Sequence, residues 1–208
     1  MYTLYYSPGT ASFVVHWLLI ELDLAHELRT VDMDGREHKG AGYLALNPNG
    51  VVPTLLVDGQ PRYEAAALAM LLADRHGDGA FAPAPADPQR AEYLQWMFNL
   101  TATVQAPLRL WWYPGDLQCD DDAVRRGAQA RFEAACERLD AHLRERGPYL
   151  LGERLSAADF YLTMLMRWSR NLPRPAHDWP HLGALARRMK ARPSFAELYR
   201  REGLEEWA

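Results

Sequence analysis

The stretch Asn47-Pro48-Asn49-Gly50-Val51-Val52-Pro53-Thr54-Leu55 decides how the chain is read. Its first four residues are a strong turn signal, because Asn, Pro and Gly each supply backbone conformations that a turn requires. Residues 51–57 then read as a strand, yet Pro53 sits inside it. Proline cannot donate to a sheet ladder, so Pro53 marks an edge, a bulge or a cis bond. A cis bond would turn the Val52 main chain away from the sheet, leaving its N–H and C=O able to pair with an extended peptide.

On either side of this stretch the apolar period alternates between two and about 3.6. Upstream, Tyr2-Thr3-Leu4-Tyr5-Tyr6 is a β-rich run stopped by Ser7-Pro8-Gly9. Val14, Trp17, Leu18 and Leu22 follow at helical spacing, then an alternating strand over 26–31 and a weak helix over 36–46, compromised by Gly40 and Gly42. Downstream, Asp58-Gly59 makes a hairpin to a short strand ending near Tyr63, and residues 64–76 form a helix of Ala, Leu and Met. The order β-α-β-α-β-β-α predicts a mixed sheet with helices packed on it.

Residues 77–88 are rich in Pro, Gly and Ala and read as a stiffened linker. Beyond it only helices are expected: 89–110 with an interruption at Pro107, 120–146, 157–170, 180–191 and 194–201. The fold class is therefore α/β plus all-α, with residues 1–78 as the sheet-bearing domain, 79–88 as linker and 89–208 as a helical bundle domain.

Composition narrows the function. The chain has 208 residues with a formal net charge of −4, which gives no basic footprint for nucleic acid. Its two cysteines, Cys119 and Cys136, build neither a disulfide scaffold nor a zinc site, and its seven histidines show no metal-ligand spacing. The longest early apolar stretch, 13–22, is too short to span a bilayer and lacks a basic flank, so a cytoplasmic protein with no membrane association is expected.

Three signatures carry a resemblance over essentially the whole chain: Tyr5-Tyr6-Ser7-Pro8-Gly9, the 47–55 stretch, and Leu150-Leu151-Gly152 with Leu155-Ser156-Ala157-Ala158-Asp159. Together they resemble the glutathione transferase superfamily, with the closest look to its bacterial beta class. The resemblance implies a thioredoxin-like N-terminal domain that binds glutathione as cosubstrate, a helical domain that supplies a hydrophobic substrate pocket, a homodimer, and a role in detoxification. The reaction implied is attack of the glutathione thiolate on a hydrophobic electrophile. A non-catalytic or regulatory binding protein, or a glutathione-dependent isomerase, dehalogenase or etherase, is the alternative.

Residue by residue, the resemblance assigns peptide pairing to Val52 and Pro53. It gives the γ-glutamyl amino group to Glu64, at a helix N-terminus that attracts carboxylates. Ala65 stands where the family usually has a serine, which removes one side-chain hydrogen bond worth about 1 kcal/mol net. Beta-class proteins carry a cysteine three residues after the proline of the first loop, where this chain has Ala11. Serine-type classes place a hydroxyl two residues after it, which here is Thr10. Thr10 and Ser12 are thus the leading catalytic candidates, with Ser7 beside them and Tyr6 a weaker one. A free thiol has a pKa near about 8.5, so a hydroxyl and a helix N-terminus beside it would favour the thiolate. Both Thr10 and Ser12 are also natural caps for the first helix.

Arg36, His38 and Lys39 offer a cation to the glycine carboxylate, and Arg36 can bind it bidentately. Trp111, Trp112 and Tyr113, together with Gln105 where beta-class proteins often have a histidine, form the candidate pocket wall. Ser156 and Asp159 read as a capping box, with a staple from Leu155 to Phe160, which belongs to folding. His16 reads as a satisfied core histidine and Cys136 as an inert core thiol.

Overall fold

The computed structural model describes residues 1–207. They form two compact units: Met1–Gly79 together with Arg192–Glu206, and Ala80–Ala191 together with Trp207.

In the first unit, β1 (Tyr2–Tyr6), α1 (Ser12–Glu21), β2 (His26–Thr30), α2 (Ala41–Leu44), β3 (Thr54–Val57), β4 (Gln60–Tyr63) and α3 (Ala65–His76) follow the order read from the sequence. The sheet runs β2-β1-β3-β4, with β1 and β2 parallel and the other pairs antiparallel. A parallel pair needs a crossover, and α1 supplies it.

Two elements differ from the sequence reading. The weak helix over 36–46 is a 3₁₀ turn at Glu37–Lys39 followed by the four-residue α2. Gly40 between them is extended, with ψ 151°, and breaks the helical run. The strand of the deciding stretch starts only at Thr54, just beyond Pro53, which has no N–H to give the ladder; the Val52–Pro53 bond is cis.

Helix α1 is apolar around its whole circumference, and every residue from Ser12 to Leu19 is buried. Such a helix needs cover on all sides. The last helix, α9 (Pro193–Glu202), supplies part of it. Phe13 and Trp17 meet Phe195 and Tyr199 edge to face, at centroid distances of 5.1–6.2 Å. At one end Glu21 receives the Arg192 guanidinium and the Ser194 hydroxyl, and Trp17 Nε1 donates to Ser194 Oγ at 2.8 Å. Residues 192–206 thus pack with the first unit, whereas the sequence reading grouped them with the helical domain.

The second unit holds α4 (Arg90–Asn99), α5 (Ala106–Trp112), α6 (Asp121–Arg146), α7 (Ala157–Trp168) and α8 (Pro180–Lys190). The interruption expected at Pro107 lies before it, as a π-helical stretch at Leu100–Gln105. Pro107 itself sits in the first turn of α5, where a missing N–H is tolerated. Helix α7 is the bundle's core, buried from Ala157 to Arg167. Its capping box is present as read: the Asp159 carboxylate accepts the Ser156 N–H at 2.8 Å and the Leu150 N–H at 2.9 Å. Burial raises the Asp159 carboxyl to about 6, against the pull of these hydrogen bonds. Cys136 is buried on α6, which pushes its thiol well up, and Cys119 is exposed.

Candidate functional site

Strand register brings the first unit's candidates to one end of the sheet. Tyr5 pairs with Thr54, Thr54 with Tyr63, and Tyr6 with Thr30. The chain therefore leaves β1 at Ser7, enters β3 through Val52 and Pro53, leaves β4 at Glu64 and leaves β2 at Val31, all at the same end. Three loops and the start of α3 converge there.

The segment before β3 is held rigidly. The Val51 carbonyl accepts Tyr43 Oη–H at 2.8 Å and Asn47 Nδ2–H at 2.7 Å, and Asn47 is wholly buried. Tyr43 Oη also lies 2.9 Å from Thr54 Oγ1, and burial raises its pKa. Gly50 has φ +58°, and a Cβ there would stand 2.8 Å from the His38 carbonyl, so only glycine fits. The Val52 side chain packs inward with Val31 and Tyr43. Its main chain precedes the ladder, which begins at Thr54. Sequence reasoning took Asn47 for a turn residue alone and did not anticipate Tyr43; their shared carbonyl shows that both hold the loop in place.

Glu64 has φ +75° and ψ 104°, and its side chain does not cap α3. An L-residue pays of order 1–3 kcal/mol for such a backbone, and strain of this kind clusters at binding sites. The side chain is exposed, while Ala65 is buried with its methyl inward, leaving its N–H at the helix end.

The loop after β1 is internally bonded. Thr10 Oγ1 donates to the Ser7 carbonyl at 2.7 Å and Ser12 Oγ–H reaches the same carbonyl at 3.0 Å. Ser12 is fully buried, while Ser7 and Thr10 are half-buried. The cap position of α1 is Ala11, which has no side-chain bond to give, but Thr10 Oγ1 accepts the Ser12 N–H at 3.4 Å, so Thr10 covers one N–H at the helix start, whereas the Ser12 hydroxyl is turned to Ser7. Tyr6 is buried against the His16 ring, at a centroid distance of 5.7 Å, and is turned into the core.

One residue at this loop, Glu202, has no counterpart in the sequence reading. Glu202, on α9, accepts the Gly9 N–H through Oε2 and the His16 Nδ1–H through Oε1, both at 2.8 Å. The His16 and Glu202 side chains are wholly shielded from water, and His16 Nε2 has no partner among the described residues. His16 is thus only half satisfied, short of the satisfied core histidine read from the sequence. The signal that pointed here was the all-round apolar α1, which demanded a further helix against it.

The cations separate. Lys39 Nζ donates to the Gly50 carbonyl at 2.7 Å and holds the turn, whereas Arg36 is exposed with a left-handed backbone at φ +59°. His38 keeps a buried, unpartnered Nδ1, and burial together with Lys39 and Arg36 lowers its pKa.

In the second unit, Trp111 and Trp112 meet edge to face at 5.1 Å, and Trp112 Nε1 donates to the Trp168 carbonyl at 3.0 Å. Trp112 and Tyr113 are exposed, with the Arg109 guanidinium 5.0 Å from the Tyr113 ring centre. Gln105 closes the π-helical stretch and accepts the hydroxyl of the buried Tyr161, which commits it to the bundle. Among the described residues, no group of three or more His, Cys, Asp or Glu could hold a metal, and no helix is long and apolar enough to cross a membrane.

Comparison with known proteins agrees with this geometry. Residues 10–75 match the model of the glutathione S-transferase N-terminal domain, and residues 122–201 that of its C-terminal domain. A glutathione S-transferase of Xanthomonas campestris pv. campestris is 30% identical over 97% of this chain and 98% of its own. The bacterial beta-class glutathione S-transferase of Sphingomonas chungbukensis superposes with a TM-score of 0.87 at 27% identity, covering 98% of this chain and all of its own. A sphingomonad glutathione S-transferase complexed with glutathione gives the same TM-score, identity and coverage.

Proposed function

The chain belongs to the glutathione S-transferase family, and from that premise we propose that it activates the thiol of glutathione and transfers it to an apolar electrophile. The observation that carries this reading is the convergence of the 7–11 loop, the Val52–Pro53 segment and the Glu64–Ala65 helix start at one end of the sheet. Glutathione lies along the Val52 main chain as an added strand. Its γ-glutamyl amino group meets Glu64, and its carboxylate there meets the Ala65 N–H. Arg36, freer than Lys39, takes the glycine carboxylate.

Sulfur is placed beside Thr10 and the N-terminal end of α1. Ala11 offers no thiol, so the reaction is substitution or addition by the glutathione thiolate. Residues 1–78 act as the glutathione-binding domain and 89–208 carry the electrophile pocket, with Trp111, Trp112 and Tyr113 as its apolar wall. The active form is a cytoplasmic homodimer.

The test is direct. Immobilised glutathione should retain the protein, and free glutathione at a hundred times its Kd should stabilise it by about 2.7 kcal/mol. An activated aryl halide should then be consumed with glutathione. Failure of retention together with an unshifted melting curve would sink the reading.

A further inference from the structure

The loop between β1 and α1 is organised around one carbonyl. Thr10 Oγ1 lies 2.7 Å from the Ser7 oxygen and Ser12 Oγ lies 3.0 Å from it. The two hydroxyl oxygens are 2.9 Å apart, which closes a triangle. The Ser7 N–H donates to Ser12 Oγ at 3.3 Å, and the Thr10 N–H also reaches the Ser7 carbonyl at 3.3 Å. Each hydroxyl has a single proton to donate. As the loop stands, Thr10 directs its proton inward, away from any ligand.

We propose that Ser12 is a positioning residue that releases the Thr10 hydroxyl toward the glutathione sulfur. This inference rests on the glutathione reading above. Ser12 is wholly buried and does not meet a ligand, whereas Thr10 is half-buried at the loop surface.

Donation to sulfur requires rotation of the Thr10 O–H about its Cβ–Oγ1 bond, which breaks its bond to Ser7. Were Thr10 the sole hydroxyl donor to that carbonyl, turning it outward would leave a carbonyl inside the loop poorly satisfied, and such losses oppose the motion. Ser12 removes that penalty by keeping its own proton on the Ser7 carbonyl while Thr10 turns outward. One bond breaks: the glutathione S–H ionises, its electron pair stays on sulfur and its proton leaves to solvent, while both hydroxyls keep their own protons.

The experiment titrates the ultraviolet absorbance of the bound thiolate against pH in the full-length protein. Thr10→Val should weaken the acidity of the bound thiol about tenfold, and Ser12→Ala about threefold. The double variant should be no weaker than Thr10→Val alone, because Ser12 acts through Thr10. Binding of S-methylglutathione, which has no thiol to ionise, should be unchanged by Ser12→Ala. If Ser12→Ala does not fold, Ser12→Cys keeps the volume with a weak donor and should give an intermediate acidity.

An unchanged acidity in folded Ser12→Ala, or multiplying effects in the double variant, overturns the inference and leaves Thr10 as the activating hydroxyl. An unchanged acidity in Thr10→Val removes Thr10 itself, and the inference with it. Absence of glutathione binding by the unmodified protein overturns instead the reading on which both stand.

Discussion

Asp159 and Glu202 are both carboxylates buried within their own unit; Asp159 accepts two main-chain N–H groups, and Glu202 accepts one main-chain N–H and the His16 imidazole. They differ in reach. Asp159 bonds residues three and nine positions away and fastens the start of α7. Glu202 bonds residues 186 and 193 positions away and fastens the loop that carries Thr10. The same chemistry thus serves a local folding device in one unit and, in the other, a long-range tie between the last helix and the candidate site.

The largest effect should come from Asp159→Ala. It strips the acceptor from the Leu150 and Ser156 N–H groups and from the Ser156 hydroxyl, all buried. Unsatisfied buried donors make this cost about 3–4 kcal/mol, or roughly 10 °C in melting temperature for a chain of this size. Glutathione affinity of the folded fraction should stay within about twofold. A large affinity loss at unchanged stability would erase the contrast with Glu202.

Asp159 should also leave a mark on stability against pH. Its carboxyl is raised by burial to about 6 in the folded protein, from the 3.8 of a free aspartate side chain. The folded state therefore holds the proton more tightly than the unfolded state does. This stabilisation is complete below pH 3.8 and is lost as pH rises through about 6. Subtracting the curve of Asp159→Asn isolates it, and the difference should change by on the order of 3 kcal/mol across that window. A flat difference curve would mean that the hydrogen bonds, not desolvation, govern this carboxyl.

The contrast in reach also explains what the sequence made legible. Ser156 and Asp159 lie three apart ahead of an apolar run, and local spacing alone identifies a helix start. Pro53 inside an apolar strand likewise announced its own irregularity. Glu202 has no such local mark, because its partners are brought to it only when α9 covers α1. The 36–46 segment failed for a different reason: charged residues suited to a helix could not outweigh the extended backbone of Gly40. Among the candidate site residues, Thr10, Ser12, Val52 and Glu64 are singled out by the resemblance that the loop motifs carry, while their burial is not legible there. That Ser12 is sealed and Thr10 accessible depends on packing that no spacing reveals.

Glu202→Gln tests the long-range tie. A glutamine keeps the volume but offers one acceptor and one N–H group where two donors, Gly9 N–H and His16 Nδ1–H, converge. With His16 protonated on Nδ1, one donor loses its partner. Loosening of the Gly9 loop should lower glutathione affinity about tenfold, equivalent to roughly 1.4 kcal/mol, with a melting temperature lower by a few degrees. Isothermal titration read beside a melting curve separates the two. A lower melting temperature with full affinity would make Glu202 a structural counterpart of Asp159.

Lys39 supplies the smallest test, because its tie spans eleven residues and lies near the surface. Its ammonium holds the Gly50 carbonyl, and so acts on the turn ahead of Val52 and not as a free cation. Exposed charged contacts are worth little, so Lys39→Met should cost at most about 1 kcal/mol of stability. Arg36→Met should lose more glutathione affinity than Lys39→Met, and that difference should vanish with a glutathione analogue amidated at the glycine carboxylate. The reverse ranking would show that Lys39 leaves the turn to bind the ligand. Reach and burial would then no longer separate the groups that hold this site from those that meet its substrate.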